Sequence, residues 1–238
     1  MKKKLLSTLF VIAMVFSMAA CSNNSTASSN KSSSDKNEIT LGLSFGQNVH
    51  PFFVAMQKGA QDAADKEGVK LVVQSANGSL ETQITQIENL VQSGVKAILI
   101  NPIDSEGVAN AVNAAKDKKI GIFTMDIDTV GAKSDGYVSS NNKKIGEMLA
   151  EYIIKELDGK GNIAILDDPS VTSLKERAEG FKEKLSTSSI KIVAEQASAG
   201  QRTESLSSAE SILQAHPNID AFIGVNENSA MGISSAIK

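Results

Sequence analysis

The chain has 238 residues, of which 41% are hydrophobic, and 24 Lys and Arg stand against 27 Asp and Glu for a formal net charge of −3. This length allows one large or two small domains with a sizeable hydrophobic core. The acidic balance, the 4% aromatic content and the lack of a basic stripe argue against a nucleic-acid-binding protein.

The amino terminus has the pattern of an export signal. Three lysines follow Met1, and the stretch 5–18 is apolar apart from three hydroxyl residues. Such a run is too short to span a bilayer and has the flanking charges of a signal peptide. Cys21, the sole cysteine, directly follows Ala19 and Ala20. This arrangement resembles the lipobox of bacterial lipoproteins, so we expect a signal peptide at 1–20 and lipidation of Cys21. The alternative is an ordinary signal peptide with an incidental cysteine.

Residues 21–37 are expected to form a tether. They are almost entirely Ser, Asn, Lys, Thr and Ala, and such a composition cannot bury enough surface to fold. Without residues 1–20 the chain keeps 21 basic and 27 acidic residues, a net charge of −6. We therefore expect an extracytoplasmic protein, either periplasmic or on the outer face of the cell membrane, that touches the membrane through its lipid anchor only.

Strand and helix patterns alternate from residue 38 onward. Strands are predicted at 39–43, 69–73, 97–100 and 120–125, with helices at 52–67, 80–92 and 108–117. The run from Ala97 to Ile100 is continuously apolar, as in a parallel strand covered on both faces. This order predicts an α/β fold with a doubly wound parallel sheet.

The pattern then restarts with strands at 136–139, 162–166, 190–194 and 219–224, and helices at 143–157, 173–185, 203–215 and from 229 onward. We predict two Rossmann-like lobes, 38–139 and 140–238, with a seam near 137–142. Because Lys238 lies inside an apolar-periodic helix, we expect the second lobe to be incomplete at the carboxyl terminus.

Polar and aromatic side chains follow the predicted strands. Ligands of open α/β sheets bind at the carboxyl ends of the strands. The candidates there are His50, Phe52, Phe53, Asn101, Asp126, Arg177 and Asn226. Phenyl rings suit the C–H faces of a sugar, while carboxylate, amide and guanidinium groups suit its hydroxyls. The sequence therefore predicts a small carbohydrate ligand.

Several motifs together resemble the ribose-type periplasmic sugar-binding proteins of ABC transporters. They are His50-Pro51-Phe52-Phe53, Asn101-Pro102-Ile103-Asp104-Ser105, Asp126, Glu176-Arg177-Ala178-Glu179-Gly180-Phe181 and His216-Pro217 with Asn226-Glu227. The resemblance runs from about residue 39 to 238. It implies a type I periplasmic-binding-protein fold whose lobes close on one monosaccharide through a hinge, and delivery of the sugar to ABC permease subunits. We expect a monomer that is not an enzyme and needs no cofactor or metal.

The resemblance also implies roles for single residues. Phe52 and Phe53 would stack on the ring, and Asn101, Asp126, Arg177 and Asn226 would bind hydroxyls. Three positions depart from the ribose binders, which carry Asn at His50, a second Arg at Ile127 and an aromatic residue at Gly200, so ribose itself is in doubt. Relatives also place an Asp and a Gln of the pocket beyond the point where this chain stops. We therefore expect the 238-residue chain to fold poorly alone and to bind its sugar weakly or not at all.

Alternative interpretations stay open at this point. The two phenylalanines could be core residues, Asp126 could cap a turn, and Asn101 could be a plain loop residue. Arg177 could pair with Glu176 or Glu179, and Asn226 could cap the last helix. The whole protein could instead sense a sugar-like signal for a chemoreceptor or a histidine kinase. The other alternative for the whole protein is an extracytoplasmic hydrolase, because Gly42 to Gly46 matches G-x-S-x-G around Ser44.

Overall fold

The computed structural model describes residues 39–47 and 50–238. Cys21, the signal peptide and the tether lie outside these residues and stay predictions. The strands of the described part are β1 Thr40–Phe45, β2 Lys70–Ser75, β3 Ala97–Asn101, β4 Gly121–Met125, β5 Gly136–Val138, β6 Lys160–Asp167, β7 Ser189–Ala197 and β8 Ala221–Gly224. The helices are α1 Pro51–Glu67, α2 Leu80–Gln92, α3 Ala109–Asp117, α4 Asn142–Glu156, α5 Thr172–Leu185, α6 Arg202–Ala215 and α7 Glu227–Ala236.

The first sheet is parallel and has the order β2-β1-β3-β4-β5. Helices α2 and α3 cover one face, where Ile87, Leu90, Ile98 and Ile122 are almost fully buried. A Cβ atom on Gly42 would lie 2.9 Å from a methyl carbon of Leu90. The glycine therefore lets α2 approach the central strand closely.

The second sheet is also parallel and has the order β7-β6-β8. On one face Ile163 and Ile165 pack with Phe181 of α5 and with α4. On the other face Leu166 packs with α6 and with Ile233 of α7. Helices thus flank the sheet on both sides, and the predicted α/β class with two parallel sheets is confirmed.

Strand β5 corrects one detail of the predicted order. The pattern placed this segment at the head of the second set of elements. The structure pairs it with β4, so it is the fifth strand of the first sheet. The second set therefore begins with α4, and the segment 139–141 connects the two sheets. The residue limits of the two lobes, 38–139 and 140–238, stay a prediction.

Helix α1 is less buried than its periodicity predicts. Apolar residues recur at helical spacing at Phe53, Met56, Ala60 and Ala64, yet Ala64 is the one buried residue of this helix. Its ends are well defined. His50 is the N-cap, and Gly68 closes the helix in the left-handed conformation with φ 65°. The N-cap fixes the first turn of α1, which carries Phe52 and Phe53.

Hydrogen bonds join the two halves of the described chain. The Ser105 N–H, in the loop after β3, donates to the Ser170 carbonyl at 3.0 Å. The Thr172 N–H donates to Ser105 Oγ at 3.0 Å, and the Asp128 N–H donates to Thr172 Oγ1 at 2.8 Å. The loops after β3 and β4 therefore contact the loop after β6 directly. No helix within residues 39–47 and 50–238 combines the length and apolarity that a bilayer crossing needs.

Candidate functional site

A cleft of about 1100 Å³ lies at the carboxyl ends of the strands of both sheets. Loops that follow strands in both halves of the chain line it, which is where open α/β sheets bind ligands. All seven candidates from the sequence line this cleft: His50, Phe52, Phe53, Asn101, Asp126, Arg177 and Asn226. The structure thus brings them together, while their contact with a ligand stays a prediction.

The aromatic wall comes from the first turn of α1. His50 Nδ1 accepts a hydrogen bond from the Phe52 N–H at 3.2 Å, so the proton of the neutral imidazole lies on Nε2. The Phe52 and Phe53 rings pack edge to face with their centroids 5.5 Å apart. The centroid of the Phe53 ring also lies 6.4 Å from that of Phe45 in β1. Phe52 keeps 46% of its surface exposed. Phe53 therefore packs against the buried Phe45, whereas the ring of Phe52 lies at the surface of the cleft.

Asn101 is the last residue of β3 and only 1% exposed. Its Nδ2 donates to the Met125 carbonyl at 3.0 Å, which ties β3 to the end of β4. Its own carbonyl accepts from Gln83 Nε2 at 3.0 Å, and Gln83 Oε1 accepts from the Ile103 N–H at 2.9 Å. Asn101 is therefore a fixed part of the sheet edge, and not a free loop residue.

Gln83 was not among the sequence candidates. It is fully buried in α2 and holds the main chain on both sides of Pro102. A signal for it was present, because Gln83 lies four residues before Ile87 and so shares the apolar face of α2. A polar side chain on a buried face needs hydrogen-bond partners, and here the partners are the loop that carries Asn101.

Asp126 follows β4 in the left-handed conformation, with φ 63°. Tyr137 Oη donates to its main-chain carbonyl at 2.9 Å. Burial raises the pKa of the Asp126 carboxyl above its ordinary value, and the Arg177 guanidinium only partly offsets this. A non-glycine residue with positive φ is uncommon, and such strain is concentrated at functional sites.

Arg177 reaches the cleft from α5. Its Nη1 donates to the Val225 carbonyl at 2.6 Å and its Nη2 donates to Asn142 Oδ1 at 2.7 Å. Burial lowers the pKa of Arg177, which the carboxylates of Asp126 and Glu227 partly restore. Its Nε is buried and makes no hydrogen bond within the described residues. Two of its nitrogens are thus anchored by the protein, and a third is left with an unused donor.

Asn226 already has a structural role as the N-cap of α7. Its Oδ1 accepts from the Ser229 N–H at 2.8 Å, and its Nδ2 donates to the Gly200 carbonyl at 3.1 Å. The capping alternative is therefore observed. One hydrogen of Nδ2 stays available on the cleft side.

Two further residues that line the cleft were missed. Asn77 follows β2 and Arg202 begins α6 after β7. Both lie at carboxyl ends of strands, so the rule that found the other candidates applies to them as well.

The hydrolase alternative is wrong for Ser44. This serine lies within β1, is fully buried and accepts a hydrogen bond from Gln83 Nε2 at 3.3 Å. A nucleophile elbow requires an exposed serine at a strand-to-helix turn. In the described part of the chain, no group of three His, Cys, Asp or Glu side chains is placed to hold a metal ion.

Comparisons with known proteins agree with one another. A family model described as "Periplasmic binding protein domain" matches residues 41–238. The ribose import binding protein RbsB of Bacillus subtilis (strain 168) is 33% identical over 237 residues, which are 99% of this chain and 77% of that protein. The Caulobacter myo-inositol binding protein bound to myo-inositol is 26% identical, with a TM-score of 0.78 over 84% of this chain and 69% of that one.

A second solved structure extends the comparison to another sugar. An ABC transporter solute binding protein from Burkholderia graminis C4D1M, in complex with D-arabinose, is 30% identical with a TM-score of 0.77. The match covers 84% of this chain and 70% of that chain. All three relatives are named as binding proteins and none as an enzyme.

Proposed function

The chain belongs to the periplasmic binding protein domain family, and from this premise we propose that it binds a small carbohydrate in the cleft between its two sheets. The parallel sheets and flanking helices form the type I fold of that family, as predicted. The protein is a binding protein and not an enzyme, so its task is to hold a ligand unchanged.

One observation carries this proposal: a single cleft unites an exposed phenyl ring, a half-buried carboxylate and a guanidinium with an unused donor. The three groups are Phe52, Asp126 and Arg177, which come from both halves of the chain. A ring face suits the C–H groups of a sugar, Asp126 accepts from its hydroxyls, and the Arg177 guanidinium donates to a hydroxyl oxygen through a hydrogen that Nη1 or Nη2 leaves unused. A polyhydroxylated ring satisfies all three at once.

The relatives support the same ligand class. Their names specify ribose, myo-inositol and D-arabinose, which are uncharged and carry a hydroxyl on most carbons. The cleft of this chain has a buried Ile127 and a bare Gly200 on its wall. These are two of the three positions that depart from the ribose binders, and we infer a sugar other than ribose.

The export signal and the fold together suggest the cellular role. Cys21 anchors the chain outside the cytoplasm, and the lobes 38–139 and 140–238 close on the sugar about the segment 139–142. Binding shifts the population toward the closed form, and this form docks as a monomer on the permease of an ABC transporter. Delivery to the transporter is proposed from the family of the chain, because the residues of the cleft concern the ligand and not a docking partner.

The test is a titration of the purified chain with D-ribose, D-arabinose, D-allose and myo-inositol, followed by ligand-observed NMR and calorimetry. We expect saturable binding of at least one sugar, with a dissociation constant above the micromolar range. The variant Arg177→Gln should lose that binding, whereas Lys175→Gln, an exposed residue of the same helix outside the cleft, should keep it. A folded chain that binds none of the sugars contradicts the proposal. A micromolar dissociation constant would contradict the separate expectation of weak binding.

A further inference from the structure

We propose that Asp168 is a second acidic ligand-binding residue of the cleft, which accepts a hydrogen bond from one particular hydroxyl of the sugar and thereby selects for sugars that carry it. This inference rests on the proposed function. It adds a specificity-determining contact on the second sheet, where Asn226 and Arg177 are already committed to structural hydrogen bonds.

Asp168 is held rigidly at the end of β6. It directly follows the last residue of that strand, lines the cleft and is 9% exposed. Its Oδ1 accepts from the Ser170 N–H at 3.1 Å and from the Ser170 hydroxyl. These two bonds fix the orientation of the side chain and use one of its two oxygens. The other oxygen, Oδ2, keeps its capacity to accept.

Gly200 lets Asp168, Leu174 and Asn226 lie close together on the wall of the cleft. A Cβ atom built on Gly200 would lie 3.5 Å from Asp168 Oδ2, 3.4 Å from Leu174 Cδ1 and 2.8 Å from Asn226 Nδ2. A side chain at position 200 would therefore collide with Asn226 and crowd Asp168 Oδ2. Gly200 has φ 60°, a conformation that favours glycine, so the position beside Asp168 carries no side chain.

The charge and the burial of Asp168 favour a ligand that donates a hydrogen bond to Oδ2. Within the described residues, Asp168 belongs to none of the salt bridges. A carboxylate this deeply buried is costly unless it is hydrogen-bonded. Ser170 already bonds Oδ1. A sugar hydroxyl that donates to Oδ2 supplies the bond for the second oxygen, while an analogue without that hydroxyl leaves Oδ2 without a donor and is rejected strongly.

The charge of the cleft restricts the ligand further. Five carboxylates line it, against two arginines: Asp104, Asp126, Asp168, Glu204 and Glu227, with Arg177 and Arg202. This excess repels sugar acids and sugar phosphates. The structure therefore assigns to the cleft a neutral sugar with a free hydroxyl directed at Asp168.

The experiment compares affinities for the tightest sugar of the panel and for its monodeoxy derivatives. We expect Asp168→Asn to weaken binding of the parent sugar by about 10- to 100-fold, the range for a hydrogen bond to a charged group. One deoxy derivative should bind the wild type as weakly as the parent sugar binds Asp168→Asn. The affinity for this derivative should be the same in Asp168→Asn as in the wild type. Asp117→Asn, an exposed acid at the end of α3, is the matched control and should change no affinity.

Two outcomes separate this inference from the proposed function. If the wild type binds a sugar but Asp168→Asn binds the parent and every deoxy derivative as the wild type does, the inference is overturned and the proposed function stands. If the wild type binds no sugar, both fail. Should Asp168→Asn fold poorly by circular dichroism, Asp168→Glu replaces it, because it keeps the charge and shifts it by a methylene. A loss of affinity at an unchanged melting temperature then supports the inference, and an unchanged affinity overturns it.

Discussion

Gly146 of α4 lies directly against the main chain of Arg177 in α5, with no room for a side chain between them. A Cβ atom on Gly146 would lie 3.0 Å from the carbonyl carbon of Arg177 and 2.6 Å from the nitrogen of Phe181. Gly180 makes the reciprocal contact, since its Cβ would lie 2.9 Å from the carbonyl carbon of Lys143. The two glycines allow the helices to cross closely, and this crossing places the Arg177 guanidinium beside Asn142.

Replacement of either glycine should therefore disturb both the fold and the cleft. We expect Gly146→Ala and Gly180→Ala each to lower the free energy of unfolding by about 1–3 kcal/mol, because the neighbouring atoms are main chain and cannot rotate away. Sugar affinity should fall as well, since Arg177 moves with α5. Gly59→Ala is the control, because a Cβ there meets nothing within 4 Å. Thermal denaturation would contradict this prediction if all three variants behaved alike.

Asp126 should trade stability for binding. Because burial raises its pKa in the folded chain, ionisation of Asp126 opposes folding at every pH above that pKa. The opposition fades as the pH falls through the folded pKa toward the ordinary value of an aspartate. Asp126→Asn removes the charge, and Asn tolerates the left-handed backbone of this position.

We therefore expect Asp126→Asn to have a higher melting temperature than the wild type at about pH 7, with a difference that shrinks toward about pH 4. The same variant should bind sugar about 10- to 100-fold more weakly. A lower melting temperature at neutral pH would show that attraction to Arg177 outweighs burial. Asp117→Asn again serves as the control for removal of one negative charge.

The sequence predicted correctly those features that depend on neighbouring residues in the chain or on the direction of parallel strands. Helix α2 was predicted with the limits that the structure has, because Ser79 caps its start through the Thr82 N–H and Gly94 follows its end. The seven candidate residues share one cleft because the carboxyl ends of parallel strands meet at one edge. Neither inference needs knowledge of tertiary packing.

The sequence predicted less well those features that depend on contacts between segments far apart in the chain. The apolar spacing of α1 does not reveal whether another element covers that face. The three residues of β5 are too few to show which sheet they join, since that depends on pairing with β4. The roles of Gln83 and of Ser170 arise from hydrogen bonds across loops, which no periodicity records.

Gln83 should act as a positioning residue for Asn101. The change Gln83→Leu keeps an apolar body in α2 but removes the bonds to the Asn101 carbonyl and the Ile103 N–H. The Asn101 carbonyl keeps its bond from the Gly46 N–H at 2.9 Å, whereas the Ile103 N–H is left unpaired. Such a loss costs about 1–3 kcal/mol, so we expect a lower melting temperature and weaker sugar binding. Gln92→Leu, at an exposed position at the end of α2, is the control. Loss of stability with full sugar affinity would show that Asn101 does not depend on Gln83.

Phe52 should matter for binding and little for folding, because it keeps 46% of its surface exposed. We expect Phe52→Ala to change the free energy of unfolding by less than about 1 kcal/mol, and to weaken sugar binding about tenfold through the loss of ring stacking. Val54→Ala is a matched control, because Val54 is 54% exposed on the same helix and does not line the cleft. If the two variants had equal affinities for the sugar, Phe52 would not be a ligand-binding residue.

Thr172 should govern the approach of the two lobes. Its hydroxyl accepts from the Asp128 N–H at 2.8 Å, and its own N–H donates to Ser105 Oγ at 3.0 Å. Thr172→Val has nearly the same shape but cannot accept, so the Asp128 N–H loses its partner. We expect a free energy of unfolding lower by about 1–2 kcal/mol, and a larger radius of gyration of the sugar-free chain in small-angle scattering.

Sugar affinity should fall by the factor by which the closed population falls, because a ligand that binds one state must first populate it. Thr172→Ser keeps the hydroxyl and should restore both the scattering profile and the affinity. Thr85→Val removes a hydroxyl from the exposed face of α2, where it bonds only within its own helix, and should change neither quantity. If Thr172→Val and Thr172→Ser gave the same scattering profile, packing of the methyl group rather than the hydrogen bond to Asp128 would hold the lobes together.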